Sequence, residues 1–379
     1  MSNDLTAKPS ITRSVVNRAI HAKRPIFIWG PPGIGKSDIV EDITSNLPKP
    51  GTNEPGNNLL IDMRLALMEP TDLRGYPFRI GEGHEAKMAW APPVDLPDAA
   101  QGAEYDTIVL FMDELNSAAP SVQAAAYQLI LNRRVGEYHL PENVRIIAAG
   151  NRENDKGVTY RMPKPLANRF RHITMDVNLD DWVSWALNND VHPDVVGYLS
   201  YAKGDLFDFN PTSSGQAFAT PRSWTYVSEI LRTPGFDSCK PLEQKIEVAG
   251  AVGEGMAAKF IEHRNIAADL PDVADVMSGK TKKIAPALER QIGALYSLVV
   301  TLTYEINELY QSNNQTIDDE FREKFNNTLR FAYANFQPEM VILLLKTVIS
   351  EYNIGFQIRR DLEKDVYEVF AKKYTKYIV

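Results

Sequence analysis

The chain of 379 residues carries 41 lysine and arginine residues against 49 aspartate and glutamate residues, a formal charge of −8, and 44 % of its residues are hydrophobic. These values are typical of a soluble globular protein with two or more domains. The negative charge disfavours bulk attraction to nucleic acid or to an anionic membrane and leaves only a local basic patch open.

The number of cysteines, the spacing of the histidines and the length of the apolar runs argue against disulfides, metal sites and membrane spans. Cys239 is the only cysteine, so the sequence has neither an intrachain disulfide nor a cysteine-ligated metal site. The six histidines are scattered without ligand spacing, which favours surface or packing roles. The N-terminal residues lack a basic-then-apolar signal, and the apolar runs are too short to span a bilayer. We therefore expect a cytoplasmic protein without a membrane span.

The first stretch that indicates chemistry follows a predicted helix at residues 10–22. Residues 25–29 are apolar and aromatic, as in a buried strand, and the pattern Gly-x4-Gly-Lys-Ser follows and continues into a helix. Small residues let backbone amides surround a phosphate, and the new helix presents its positive end to it. The residues predicted to bind the nucleotide are Gly30, Pro31, Pro32, Gly33, Ile34, Gly35, Lys36 and Ser37.

Two side chains of this loop have specific predicted roles. Lys36 supplies a positive charge for the β- and γ-phosphates, and the Ser37 hydroxyl is a Mg²⁺ ligand. The alternative is a glycine-proline turn followed by a chance lysine. The strand before the loop and the helix after it argue against that alternative.

A second strand is predicted at residues 59–64, followed by a hairpin. Its strands are residues 78–80 and 87–90, on either side of the glycine-rich turn at residues 81–83. Local evidence leaves a functional hairpin and a surface hairpin without a special role equally open.

An acidic pair ends the next predicted strand. Residues 107–112 are apolar and β-prone, and Asp113 and Glu114 follow them directly. Ligands bind at the carboxyl ends of parallel strands, so we expect Asp113 in the Mg²⁺ shell and Glu114 beside the attacking water. An ordinary strand running into a helix cap is the alternative, which the nearby phosphate loop disfavours.

A helix at residues 121–131, a small hairpin at 135–140 and a buried strand at 143–150 come next. Asn151 follows that strand, where its amide could hydrogen-bond the attacking water or the γ-phosphate. Three arginines then cluster, namely Arg161, Arg169 and Arg171. On charge alone, each is more often a solvated surface residue than a catalytic one.

From residue 178 the pattern is helical only. A helix begins at Thr220-Pro221-Arg222, and later helices are predicted at 241–263, 285–310, 317–335 and 338–351. The predicted fold is an α/β P-loop NTPase core, with a parallel sheet flanked by helices, followed by an all-α lid and a C-terminal helical region. The predicted domains are the core at 1–177, the lid at 178–285 and the C-terminal extension at 286–379.

Together these residues resemble the AAA+ ATPases and, among them, the MoxR-like branch. Gly30–Ser37 is similar to Walker A, Ile108–Glu114 to Walker B, Asp113–Asn116 to the branch's Asp-Glu-hydrophobic-Asn signature, Asn151 to sensor 1, Arg169 to the arginine finger and Arg222 to sensor 2. Both hairpins fall where this branch carries insertions. Asn168 replaces the family's usual aspartate and Ser117 replaces a frequent arginine, which weakens the transfer of roles near a subunit interface.

The resemblance implies an enzyme that converts ATP and water to ADP and phosphate with Mg²⁺. It implies Glu114, Asn151, Arg169 and Arg222 as catalytic residues, with Arg169 acting on a neighbouring subunit of a hexameric ring. Whether Arg161 or Arg171 shares that role stays open. The implied function is chaperone-like remodelling of a protein partner, which in this branch is often a separate protein with a von Willebrand factor A domain.

Two other function classes use the same core. A nucleic-acid-associated motor is disfavoured by the acidic composition and by the lack of a helix-turn-helix or zinc module. A nucleotide-sensing scaffold would bind ATP without releasing phosphate. The complete set of hydrolytic motifs favours the remodelling ATPase.

Overall fold

The computed structural model describes residues 5–135, 138–152, 155, 160–212, 215–267, 269–355 and 357–378. The chain divides into two compact units. The first comprises the chain up to Asn178 and a short segment that begins at Asn210, and the second comprises the remainder. The predicted boundary between lid and C-terminal extension falls within the second unit and stays a prediction.

The first unit is built on a parallel sheet, accompanied by two antiparallel strand pairs. Its strands are β1 (Thr6–Ala7), β2 (Ile26–Trp29), β3 (Asn58–Arg64), β4 (Tyr76–Ile80), β5 (Lys87–Ala91), β6 (Thr107–Asp113), β7 (Arg134–Val135), β8 (Tyr138–His139), β9 (Val144–Gly150) and β10 (Arg171–Met175). Its helices are α1 (Pro9–His21), α2 (Lys36–Ser45), α3 (Pro70–Arg74), α4 (Ala99–Glu104), α5 (Pro120–Asn132) and α6 (Lys164–Ala167).

The six strands of the main sheet lie in the order β1-β10-β2-β9-β6-β3. All neighbouring strands are parallel. The apolar run of β6 is buried from Thr107 to Met112, as expected for a parallel strand covered on both faces. The core beside the sheet includes Phe27 of β2, Leu110 of β6 and Leu129 of α5. This order brings the carboxyl ends of β2, β9 and β6 side by side, which positions the candidate site.

The structure confirms the predicted P-loop fold class and four predicted strands, β2, β3, β6 and β9. The hairpin of β4 and β5 and the antiparallel pair of β7 and β8 lie where the sequence predicts hairpins. Residues 136–137, at the tip of the second hairpin, lie outside the described residues. The sequence analysis missed β10, whose polar positions Arg171, His172 and Thr174 mask its strand character; its pairing with β2 is a tertiary contact.

The second unit consists of helices in its described part. They are α7 (Leu179–Asn188), α8 (Pro193–Tyr201), α9 (Pro221–Leu231), α10 (Pro241–Val252), α11 (Glu254–Ala267), α12 (Val273–Met277), α13 (Ile292–Ser312), α14 (Asp319–Asn335), α15 (Pro338–Lys346), α16 (Ile358–Asp361), α17 (Lys364–Lys373) and α18 (Thr375–Ile378). A π-helical turn at Thr347–Glu351 extends α15. None of the helices in the described ranges combines the length and apolar character needed to cross a bilayer.

Two helix predictions were wrong in part in the second unit. The helix predicted at 285–310 begins only at Ile292, as α13, after a turn at residues 286–290. The single helix predicted at 241–263 is two helices, because Gly253 between α10 and α11 has φ of +89°. That left-handed conformation interrupts a right-handed helix, and glycine adopts it readily because it has no Cβ. The apolar stripe of α13 is core as predicted, since Leu295, Val299 and Leu302 are buried in the main cluster of this unit.

Candidate functional site

The candidate site lies at the carboxyl edge of the sheet, where three adjacent strands end. β2 leads into the loop at residues 30–35, β6 ends at Asp113, and β9 is followed by Asn151. The loop includes Gly33 and Gly35 with φ of +74° and +87°. The N-cap residue of α2 is Gly35, which has no side chain to cap the helix. The first-turn amides of a helix are a common binding site for anions.

Lys36 begins α2 and is 9 % exposed. Its ammonium group donates to the carbonyl oxygens of Gly30 and Pro31, at 2.7 and 2.8 Å, and to Asn151 Oδ1 at 3.1 Å. A buried charge requires polar partners, and these oxygens provide them. The contact with Asn151 brings together residues that are 115 positions apart.

The second contact of the site joins α2 to β6. Ser37 Oγ donates to Asp113 Oδ2 at 3.0 Å, so a hydroxyl and a carboxylate lie together next to the loop. Mg²⁺ in nucleotide sites is bound by one or two carboxylates or hydroxyls, with phosphate and water completing its shell. The described residues contain no cluster of three or more His, Cys, Asp or Glu side chains that could hold a metal by itself. The pair therefore fits Mg²⁺ bound jointly with a nucleotide.

Glu114 is exposed and has a left-handed backbone with φ of +54°. Its amide donates to Asp113 Oδ1 at 2.8 Å, and its carbonyl accepts from the amides of Ser117 and Ala118. A left-handed non-glycine residue costs about 1–2 kcal/mol and persists when surrounding contacts fix it. This turn separates the two acids, leaving the Asp113 side chain beside Ser37 and the Glu114 side chain in solvent.

Asp62, on the edge strand β3, is an acidic neighbour that the sequence analysis did not single out. Burial raises the pKa of its carboxyl, and the charges of Asp113 and Glu41 raise it further, while Arg64 lowers it. The only sequence signal was its position near the carboxyl end of a predicted strand. Its carboxylate adds negative potential on the Asp113 side of the site, which favours a cation there.

His172 is a second residue with a contact that the sequence analysis missed. Trp29 Nε1 donates to His172 Nδ1 at 2.9 Å, and His172 Nε2 lies 2.8 Å from the Ala167 carbonyl. Since Nδ1 accepts, Nε2 carries the proton and donates to that carbonyl. His172 thus ties the strand before the phosphate loop to α6, which precedes Arg169. No local pattern indicates the Trp29 contact, because its partners are 143 positions apart.

The predicted arginines lie in different places. Arg169 follows α6, is exposed, and forms no ion pair in the part of the chain that the structure describes. Arg161 and Arg171 are also exposed, and Arg171 begins β10. Arg222 lies in the first turn of α9, in the second unit. The contacts unite Lys36, Ser37, Asp113 and Asn151, whereas the roles of the arginines stay predictions.

Part of the chain matches a known protein family. Residues 25–170 match the family model described as AAA domain, dynein-related subfamily. The chain is 28 % identical over 196 residues to midasin from Giardia intestinalis; this covers 48 % of the chain and 4 % of midasin.

Two solved structures of NtrX from Brucella abortus are also similar. The first has 14 % identity and a TM-score of 0.37, covering 84 % of this chain and 67 % of that chain. The second, in complex with ATP, has 12 % identity and a TM-score of 0.36, covering 86 % and 69 %. At these TM-scores the likenesses support no conclusion about this chain.

Membership of the MoxR-like branch stays a prediction, since the family model that matches is that of the dynein-related subfamily. The family match covers the loop, the acidic strand end and Asn151, which are the parts that the structure brings together. The match and the strand order together identify residues 25–170 of this chain as an AAA domain of the AAA+ ATPase family.

Proposed function

We propose that this chain binds ATP with Mg²⁺ and hydrolyses it to ADP and phosphate. The observation that carries the proposal is the pair of contacts Lys36–Asn151 and Ser37–Asp113, which assembles one site from the ends of β2, β9 and β6. Each side chain is of a type that binds phosphate, Mg²⁺ or the reacting water.

Each residue has a distinct task in this proposal. Lys36 binds the β- and γ-phosphates, while Ser37 and Asp113 hold Mg²⁺, which when bound neutralises charge on the phosphate oxygens. The solvent-exposed carboxylate of Glu114 orients the attacking water and accepts its proton. The Asn151 amide donates to the γ-phosphate or to that water.

We further propose that hydrolysis drives remodelling of a protein partner by a hexameric, MoxR-like ring in the cytoplasm. In this arrangement Arg169 completes the site of a neighbouring subunit and Arg222 contacts nucleotide from the lid. The exposed position of Arg169 and the exposed apolar side chains of the β4–β5 hairpin support this function. A protein with a von Willebrand factor A domain is the partner class that the resemblance suggests.

Hydrolysis is tested by separating binding from turnover. Glu114→Gln keeps the shape of the side chain but removes its basicity, so we expect ATP affinity to persist and turnover to fall by about 10²- to 10⁴-fold. Lys36→Ala removes the phosphate-binding charge, and we expect ATP affinity itself to be lost. Calorimetric binding and phosphate release measure the two quantities.

A matched control is Glu247→Gln, an exposed glutamate of α10 in the second unit. It should retain wild-type binding and turnover. Unchanged turnover in Glu114→Gln would remove this residue from the mechanism.

A further inference from the structure

Asn116 is a buried amide that the assigned roles do not use. It lies three residues after Asp113 and is 2 % exposed. Its Nδ2 donates to the Asn151 carbonyl at 2.7 Å, and its own carbonyl accepts from the Tyr160 amide at 2.7 Å. A single residue therefore connects the turn after β6 to the residue after β9.

The orientation of this amide is fixed by its surroundings. Reversing it would place Oδ1 against the Asn151 carbonyl oxygen, and two acceptors repel each other. In the observed orientation Oδ1 is buried without a hydrogen-bond partner among the described residues. The described hydrogen bond of this side chain is therefore made by its donor, Nδ2, to the Asn151 carbonyl.

Gly150 shows how closely the amide is packed. A Cβ built on Gly150 would lie 2.0 Å from Asn116 Oδ1 and 2.9 Å from the ring of Phe27. Any other residue would displace the Asn116 side chain or the end of β9. Because Gly150 has no side chain, the Asn116 side chain fits beside the end of β9 and can donate to Asn151.

The contact determines what Asn151 presents to the site. With its carbonyl held by Asn116, Asn151 reaches Lys36 through Oδ1 at 3.1 Å. An amide that accepts with its oxygen directs its NH₂ group elsewhere, so Nδ2 is the donor left for a phosphate or a water.

We propose that Asn116 is a positioning residue that holds the Asn151 backbone, so that the Asn151 amide can distinguish ATP from ADP and promote hydrolysis. This inference rests on the proposed ATPase function and assigns a further residue to it. Asn116 itself acts only through Asn151, without contacting the nucleotide.

The first experiment is a double-mutant cycle on turnover. Displacing a catalytic donor by about 1 Å can lower a rate by roughly 100-fold, so we expect Asn116→Ala and Asn151→Ala each to lower kcat by about 10- to 100-fold. The double variant should match the slower single variant within about twofold, because both changes remove the same contribution. Losses that multiply would overturn the proposal.

Asn143 supplies a matched control at the opposite end of β9. Its Nδ2 donates to the carbonyls of Gly102 and Tyr105, at 3.1 and 2.7 Å, far from the sheet edge that bears the site. Asn143→Ala should lower the melting temperature and retain kcat. A loss of kcat in Asn116→Ala no greater than in Asn143→Ala would contradict a positioning role.

The second experiment measures nucleotide preference without hydrolysis, in a Glu114→Gln background. We expect Asn116→Ala and Asn151→Ala each to reduce the ratio of the ADP and ATP dissociation constants towards one, and the double variant to reduce it no further. An unchanged ratio of dissociation constants in Asn116→Ala would overturn the positioning role of Asn116, whether or not the wild-type chain hydrolyses ATP. Absence of turnover in the wild-type chain would by itself refute only the proposed hydrolysis. If the wild-type chain binds neither nucleotide, both proposals fail.

If the alanine variant does not fold, both experiments are repeated with Asn116→Asp. It keeps the shape of the side chain and replaces the donor by an acceptor facing the Asn151 carbonyl. We expect the same losses, and wild-type kcat and preference in this variant would refute the inference.

Discussion

Single side chains at the sheet edge explain how the site is held together before a ligand arrives. The Lys36 ammonium donates to oxygens of Gly30, Pro31 and Asn151, which hold it beside the loop. An ammonium has three N–H donors, so a phosphate that binds Lys36 replaces at least one of these contacts. Ser37 and Asp113 form a second pair at the same edge of the sheet.

The Ser37–Asp113 pair predicts a metal-dependent phenotype. Ser37→Ala removes one proposed Mg²⁺ ligand and keeps Lys36 and the loop, so we expect the Mg²⁺ concentration for half-maximal turnover to rise by about 10-fold or more. Titrating Mg²⁺ at saturating ATP measures it. Ser45→Ala is the control, because Ser45 lies at the other end of α2 and donates only to the Glu41 carbonyl. An equal shift in both variants would exclude Ser37 as a metal ligand.

At the scale of elements, the β4–β5 hairpin exposes an unusual apolar surface. Alternate residues Tyr76, Phe78 and Ile80 share one face of β4 and are 73 %, 46 % and 47 % exposed. They pair across the hairpin with Ala91, Ala89 and Lys87. Exposed apolar strands favour unwanted association, so their presence is more readily explained by a contact with a partner chain.

This surface predicts a separation of basal from stimulated turnover. The probe is reduced, carboxymethylated α-lactalbumin, a permanently unfolded chain that exposes apolar segments. We expect it to stimulate ATP turnover of the wild-type chain, and Phe78→Ser/Ile80→Ser to abolish the stimulation while leaving basal turnover unchanged.

The control for the hairpin is Leu242→Ser/Ile246→Ser, which removes exposed apolar side chains of α10 in the second unit. This variant should still be stimulated. Equal stimulation of both variants would show that the hairpin does not contact the probe.

At the scale of the whole molecule, the hydrogen bonds that the structure describes among Lys36, Ser37, Asp113 and Asn151 include no arginine. Arg169 is exposed on the first unit, and Arg222 belongs to the second. An arginine supplied by a neighbouring subunit can raise the rate of phosphate transfer by about 10³- to 10⁵-fold. A lone protomer should therefore bind ATP and turn it over slowly.

Assembly is tested by turnover per protomer as protein concentration rises. We expect specific activity to climb for the wild-type chain and for Arg359→Ala, a control at an exposed arginine of α16. Arg169→Ala should stay low at every concentration. Constant activity per protomer together with a harmless Arg169→Ala would contradict shared sites. Parallel variants at Arg161 and Arg171 show whether either arginine shares the role.

Local sequence patterns sufficed for the phosphate loop, the acidic end of β6 and the strand before Asn151. These elements are encoded by neighbouring residues: an apolar run buries a strand, glycines shape the loop, and polar side chains follow at the strand end. The family match over residues 25–170 spans the same local stretches. The fold class and the predicted chemistry of the loop therefore follow from the sequence itself.

Tertiary structure alone decided which distant residues meet. The pairing of β10 with β2, the Trp29–His172 contact and the Asn116–Asn151 contact join residues separated by 35 to more than 140 positions. Such contacts leave no periodic signal, because each depends on strand order and on the space left by other side chains, as Gly150 shows. The sequence by itself determined what each element is and which chemistry it carries; packing decided that Asn116 holds Asn151, because hydrogen bonds at this range form only when the sheet has brought both loops together.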